Sequence, residues 1–140
     1  MVKIPFSTDQ LSRLRKVCAN APQVLAVFLF GSHVDGYATP RSDIDLAIFL
    51  SESLTLSERL VLEVDLCQAV SREALDIMHL NDASISLRFR AIRGQLLYER
   101  TPERVSDFIQ RVMFDFYDFQ HVLKTYEREF AKSLEQDYGL

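Results

Sequence analysis

Apolar residues in this chain gather either into short unbroken runs or into stripes at helical spacing, and the two kinds alternate. The first stripe, Leu11, Leu14, Val17 and Cys18, occupies one side of a helix. Ahead of it, Ser7-Thr8-Asp9-Gln10 has the form of a capping box, with Ser7 as N-cap and Gln10 reaching back; the helix should end near Asn20, before Pro22. Residues 24–30 are apolar without interruption and predict a buried strand. A Gly31-Ser32 turn, a short helix and a polar loop around Gly36 and Pro40 lead to a second strand, predicted over 43–50. Residues 57–71 read as a helix in which Leu60, Val61, Val64, Leu66, Cys67 and Val70 make an apolar face wide enough to cover a sheet. A strand over 74–80 follows, then a helix over 84–93 with Ile85, Phe89 and Ile92 on one side and Gly94 as its stop, then a short strand Gln95–Glu99. Strands alternating with helices predict an α/β (α+β) fold, a sheet covered by helices, and leave the strand order open.

Residues 102–138 continue as one long helix or two, opened by Thr101 as N-cap and Pro102 at the first helical position. Val105, Phe108, Ile109, Val112, Phe116, Leu123, Phe130 and Leu134 form a stripe suited to packing on the domain. Met113, Phe114, Tyr117, Phe119, Val122 and Tyr126 are then left over, and six of the eight residues from Val112 to Phe119 are apolar or aromatic. Such a surplus implies either a protein partner, in a hetero-oligomer or by self-association, or deeper burial of the helix by its own fold.

At 140 residues and 48% hydrophobic content the chain can bury a sizeable core but is too short for two ordinary domains. A single domain over 1–140 is expected, with its main unit at about 22–100 and the helical segment at about 102–138. No apolar run approaches the length of a membrane span and residues 1–5 lack a signal-peptide core, so no membrane association and a cytoplasmic location are expected. Cys18 and Cys67 lie in apolar, helix-like stretches without metal-ligand spacing and read as small core residues. Net charge is −4, with the acidic residues spread along the chain, which argues against direct nucleic-acid binding, since that needs a concentrated basic face. Arg88, Arg90 and Arg93 are the local exception. Helical spacing separates Arg88 from Arg90 and lets Arg90 and Arg93 share a side, either as a solvated face or as a phosphate or partner patch.

The chemistry is concentrated between Val27 and Leu46. A Gly-Ser pair directly after a buried strand lets the chain turn sharply into a helix, where backbone N–H groups and the Ser32 hydroxyl can cradle a phosphate. Ten residues later, Asp43-Ile44-Asp45 opens the next apolar run; side chains two apart on a strand share a face, so both carboxylates project together. Their natural guest is Mg²⁺, a hard cation satisfied by oxygen and commonly shared with substrate phosphates. Singly, each residue also fits a structural role: Ser32 as an N-cap, Asp43 and Asp45 as solvated turn residues. Arg41 suits either a phosphate oxygen or an ion pair with the aspartates, and His33 either lines the pocket or is solvated.

Gly-Ser followed after ten residues by Asp-x-Asp resembles the signature of the DNA polymerase β-like nucleotidyltransferase superfamily, and the small size resembles its minimal nucleotidyltransferase (MNT) branch. The likeness spans Val24 to Glu99 as a fold and implies a mixed, mostly antiparallel sheet. It implies that Gly31 and Ser32 hold the triphosphate of ATP, that Asp43 and Asp45 bind two Mg²⁺ ions, and that a third carboxylate comes from a neighbouring strand. Asp76, inside the predicted strand 74–80, is the candidate: an acid in such a run is costly unless paired or metal-bound, although an edge-strand charge that discourages aggregation is the structural alternative. The same resemblance implies an antitoxin that transfers AMP from ATP to a tyrosine hydroxyl of a partner HEPN ribonuclease toxin. A catalytically silent toxin-binding antitoxin and a small-molecule, antibiotic-type nucleotidyltransferase are the alternatives; the latter type usually carries a further substrate-binding domain.

Overall fold

β1 (Val24–Phe30) is the strand around which the molecule is organised, with all seven of its residues buried. The computed structural model describes residues 4–31, 36 and 43–139. In it β1, β2 (Asp45–Leu50), β3 (Asp76–His79) and β4 (Gln95–Glu99) form a sheet in the order β3-β2-β1-β4. β1 runs antiparallel to both β2 and β4, while β3 lies parallel to β2, giving the mixed, mostly antiparallel sheet that the resemblance implied.

Each face of the sheet carries two helices. On one face α1 (Thr8–Ala19) and α2 (Leu56–Ala69) bring Leu14, Cys18, Leu62 and Leu66 onto Val27, Leu29, Leu46 and Ile48. On the other, Ala91 of α3 (Ile85–Ile92) and Val105 of α4 (Pro102–Tyr138) close on Ala26, Phe28, Phe30 and Ala47. Ring stacks at 3.9 Å between Phe49 and Phe108, and at 3.7 Å between Phe89 and Phe116, seat α4 on the sheet and on α3. Both α1 and α2 start in complete capping boxes, Ser7 with Gln10 and Thr55 with Glu58. Arg100 ties the layers together: its guanidinium donates to the carbonyls of Val24, Cys18, Ala19 and Ala21, meeting carbonyls that the end of α1 leaves open.

Three expectations need correction. β3 is shorter than 74–80 because Asn81 ends it: its side chain accepts from the Leu50 N–H at 2.9 Å and donates to the Leu50 carbonyl at 2.8 Å, taking the place of a ladder partner. Leu80–Asp82 therefore turns as a 3₁₀ segment, and Arg88 holds the turn by donating to the Leu80 and Asn81 carbonyls. Second, the broad apolar face expected of α2 is not buried as a whole. Leu62, Leu66 and Ala69 face inward, while Leu60, Val61 and Val64 are exposed, because α1 already covers much of that side of the sheet. Third, α4 is one continuous helix whose stripe packs on the domain only as far as Phe116; Leu123 and Phe130 lie beyond the sheet and are exposed. Thr101 is the N-cap and Pro102 the first helical residue, as expected, although the Thr101 hydroxyl makes no cap bond. Among the described residues no helix is long and apolar enough to cross a membrane. Cys18 is a core residue as expected, its thiol pushed up to about 12 by burial, whereas Cys67 is partly exposed.

Candidate active site

Three strand ends meet on the α3/α4 face of the sheet. Phe30, at the end of β1, is paired with Asp45, the first residue of β2. Asp45 is in turn paired with Asp76, the first residue of β3, and the Asp76 N–H donates to the Ile44 carbonyl at 2.9 Å. Parallel neighbours in register point to the same side, so the two carboxyl groups are brought side by side and share a hydrogen bond. Alternation continues upstream: Ile44 is buried in the α1/α2 core while Asp43 is exposed, just before the strand begins.

Asp76 is not inside a buried run, as expected from the sequence, but exposed at the head of β3. Its cost is therefore not that of a buried charge; it acts instead on Asp45. The Asp45 carboxyl is pushed up to about 6, first by its burial, then by the hydrogen bond with Asp76 and that residue's charge, with a smaller contribution from Asp43. Arg90, on α3, opposes these effects. Its guanidinium stands 6.0 Å from the centre of the Phe30 ring, over the same strand ends.

Gly31 follows Phe30 with φ of +83°, a conformation that side chains disfavour. A Cβ there would also collide with Oδ2 of Asp45, so glycine is what lets the turn pass directly over the carboxylate. Ser32, together with His33, Arg41 and the expected short helix, lies outside the described residues. The structure thus brings together Gly31, Asp45 and Asp76, with Asp43 close enough for its charge to be felt. Among the described residues, no three His, Cys, Asp or Glu side chains are already gathered as a metal cage. Arg90 was legible only as part of a basic helix side, open between a solvated face and a phosphate or partner patch. The separation of Arg88 from Arg90 by helical spacing was the available signal: Arg88 turns back to the 3₁₀ segment, whereas the charge of Arg90 is felt at Asp45. His79, buried with its Nε2 3.3 Å from Glu63 of α2, belongs to the opposite face and takes no part.

Two carboxyl groups at one point, beneath a turn that ends a central strand, are oxygen donors seeking positive charge. The family model for polymerase beta nucleotidyltransferases matches residues 12–103. The chain belongs to that family. No curated protein matches this nucleotidyltransferase in sequence. Among solved structures, a toxin–antitoxin with AMP-PNP contains a similar chain at 21% identity and a TM-score of 0.68, over 86% of this chain and 98% of the other. A toxin–antitoxin MntA–HepT structure aligns at 20% identity and 0.63, over 87% and 97%. The complex of a tri-AMPylated Shewanella oneidensis HEPN toxin with an MNT antitoxin aligns at 19% and 0.64, over 87% and 96%. At these identities the likeness is one of fold.

Proposed function

We propose that this nucleotidyltransferase is the antitoxin of a toxin–antitoxin pair, and that it transfers AMP from ATP, with Mg²⁺, to a tyrosine hydroxyl of a HEPN ribonuclease toxin and so neutralises it. The observation that carries the reading is the Asp45–Asp76 pair beneath Gly31, in the fold of a nucleotidyltransferase family. Likeness to a chain in a complex whose HEPN toxin bears AMP supports the choice of acceptor. The acidic charge of −4 suits a protein acceptor better than a nucleic acid.

The donor set fits Mg²⁺. Asp45 and Asp76 supply hard oxygen ligands, and the raised pKa of Asp45 is that of a site short of positive charge. Asp43, Asp45 and Asp76 would hold the metal, which when bound neutralises charge on the triphosphate and lowers the pKa of an attacking hydroxyl. Gly31, Ser32 and neighbouring backbone amides would hold the β- and γ-phosphates. The tyrosine oxygen attacks the α-phosphorus in line, the bond from that phosphorus to the bridging oxygen breaks, and pyrophosphate leaves. Asp76, exposed at the head of β3, would take the hydroxyl proton, while Arg90 would balance the charge gathered around Asp45.

The test is the intact mass of a HEPN-type protein after incubation with this chain, ATP and Mg²⁺, with Asp45→Asn and Asp43→Asn variants alongside. One or more AMP masses should appear with the unaltered chain. Each variant should be slower by at least about 10²-fold. Their melting temperatures should not fall, because the substitution relieves carboxylate repulsion. A tight complex without added mass would identify a silent binder, and transfer at full rate by Asp45→Asn would refute the site.

A further inference from the structure

The distal half of α4 offers a surface that neither the fold nor the nucleotide site uses. Val112, Phe116, Phe119, Leu123, Tyr126 and Phe130 succeed one another at spacings of four and three, the rhythm of a helix-pairing seam. Val112 is buried and Phe116 is stacked on Phe89. Beyond them the seam continues in the open: Phe119, Leu123, Tyr126 and Phe130 are 43%, 42%, 68% and 57% exposed among the described residues. A narrow seam of this spacing fits another helix rather than a strand or a flat surface.

Charge decides which helix. With Phe116, Leu123 and Phe130 at one core position of the heptad and Phe119 and Tyr126 at the other, Glu127 and Glu129 fall on the two flanks of the seam. Lys124, Arg128 and Lys132 fall on the far side. Two copies paired antiparallel about this stretch would bring Glu127 and Glu129 to carboxylates, and two paired parallel would set them against Val122 and Leu134, so neither self-pairing supplies them with a cation. A helix flanked by lysine or arginine meets both the apolar seam and its acidic borders.

The geometry points to the distal half of α4 as the docking seam for a basic amphipathic helix of a separate protein. This deepens the antitoxin reading, and rests on it for taking that protein to be the toxin. The seam keeps its phase along α4, so it faces the same way as the stripe seated on the sheet, the side that carries Asp45 and Asp76.

The full chain is titrated with two fluorescein-labelled amphipathic helical peptides of equal apolar content, one with lysine and arginine at the flanking positions and one with glutamate there. The basic peptide should bind at least tenfold more tightly, and its binding should weaken as salt is raised. Glu127→Lys/Glu129→Lys should reverse the preference and leave ATP affinity unchanged, since neither residue lies near the carboxylate pair. Equal binding of the two peptides, no binding of either, or indifference to the double substitution would overturn the proposal. So would a dimer of the full chain in sedimentation that Leu123→Asp dissociates. Failure of the antitoxin reading has a different signature: no AMP on a HEPN-type protein, with the peptide preference intact.

Discussion

At the scale of single residues the site turns on Asp45, which is squeezed between a like charge and a partly buried position yet borders Arg90. Its carboxyl holds a proton up to about pH 6 in the folded chain, against an ordinary 3.8 for an aspartate in the unfolded one. Between those values the folded state binds more protons, so the stability this group contributes is fully present below about pH 3.8 and is lost as pH rises through about 6. In metal-free protein, denaturant titrations should show the unaltered chain losing about 1 kcal/mol relative to Asp45→Asn between pH 4 and 7, the effect being reduced by solvent around the pair. Saturating Mg²⁺ should cancel the loss, because the cation takes the place of the proton. A difference that grows in the opposite direction would mean that Asp45 is not paired with Asp76. Much of this was visible in the sequence: Asp43 and Asp45 were legible as a pair, with Ile44 turned inward, because alternation along a strand is a local property. The tie between Arg90 and Asp45 was not, since it depends on how α3 crosses the ends of β1 and β2.

At the scale of elements, the boundary that matters most is the end of β3. Asn81 satisfies both backbone groups of Leu50, whose side chain is buried, and thereby fixes where β3 stops and where Asp76 begins it. Asn81→Ala should cost about 2 kcal/mol in urea unfolding, the sum of two modest bonds and the partners left without them. The denaturant dependence should be unchanged. A loss under about 0.5 kcal/mol would show that water replaces the amide without penalty. β1, β4 and the capping box of α1 coincide with their predicted bounds, because runs, caps and stops are written in adjacent residues. The end of β3 depends on a bond thirty-one residues away in sequence, and local pattern does not record it. α2 shows the same limit: the width of its apolar face is legible, but which part is buried depends on α1, which takes the inner space first.

At the scale of the whole molecule, a sandwiched sheet carries a helix of 37 residues that, among the described residues, is anchored along its first part. Val105 and Val112 are its buried residues, and the ring stacks at Phe108 and Phe116 complete the anchor. A chain ending after Asp118 should therefore keep its melting temperature within about 3 °C, since the removed part buries little against the domain. Scanning calorimetry with and without ATP checks this, and a drop of ten degrees or more would mean that the outer helix stabilises the fold in a way its exposure does not reveal. The single-helix outcome settles an ambiguity that periodicity left open, because a 3–4 repeat is the same whether or not the rod bends.

Because α4 is straight-chained hydrogen bonding from Pro102 to Tyr138, it is mechanically a cantilever, clamped at its root and loaded at its tip. The free part is about 30 Å long, so a tilt of about 10° at the clamp moves the tip by about 5 Å. The reverse also holds: a load applied near Tyr126 is levered onto the Phe116–Phe89 stack, and Phe89 is the direct neighbour of Arg90 on α3. Force on the arm is delivered one residue from the cation beside the carboxylates.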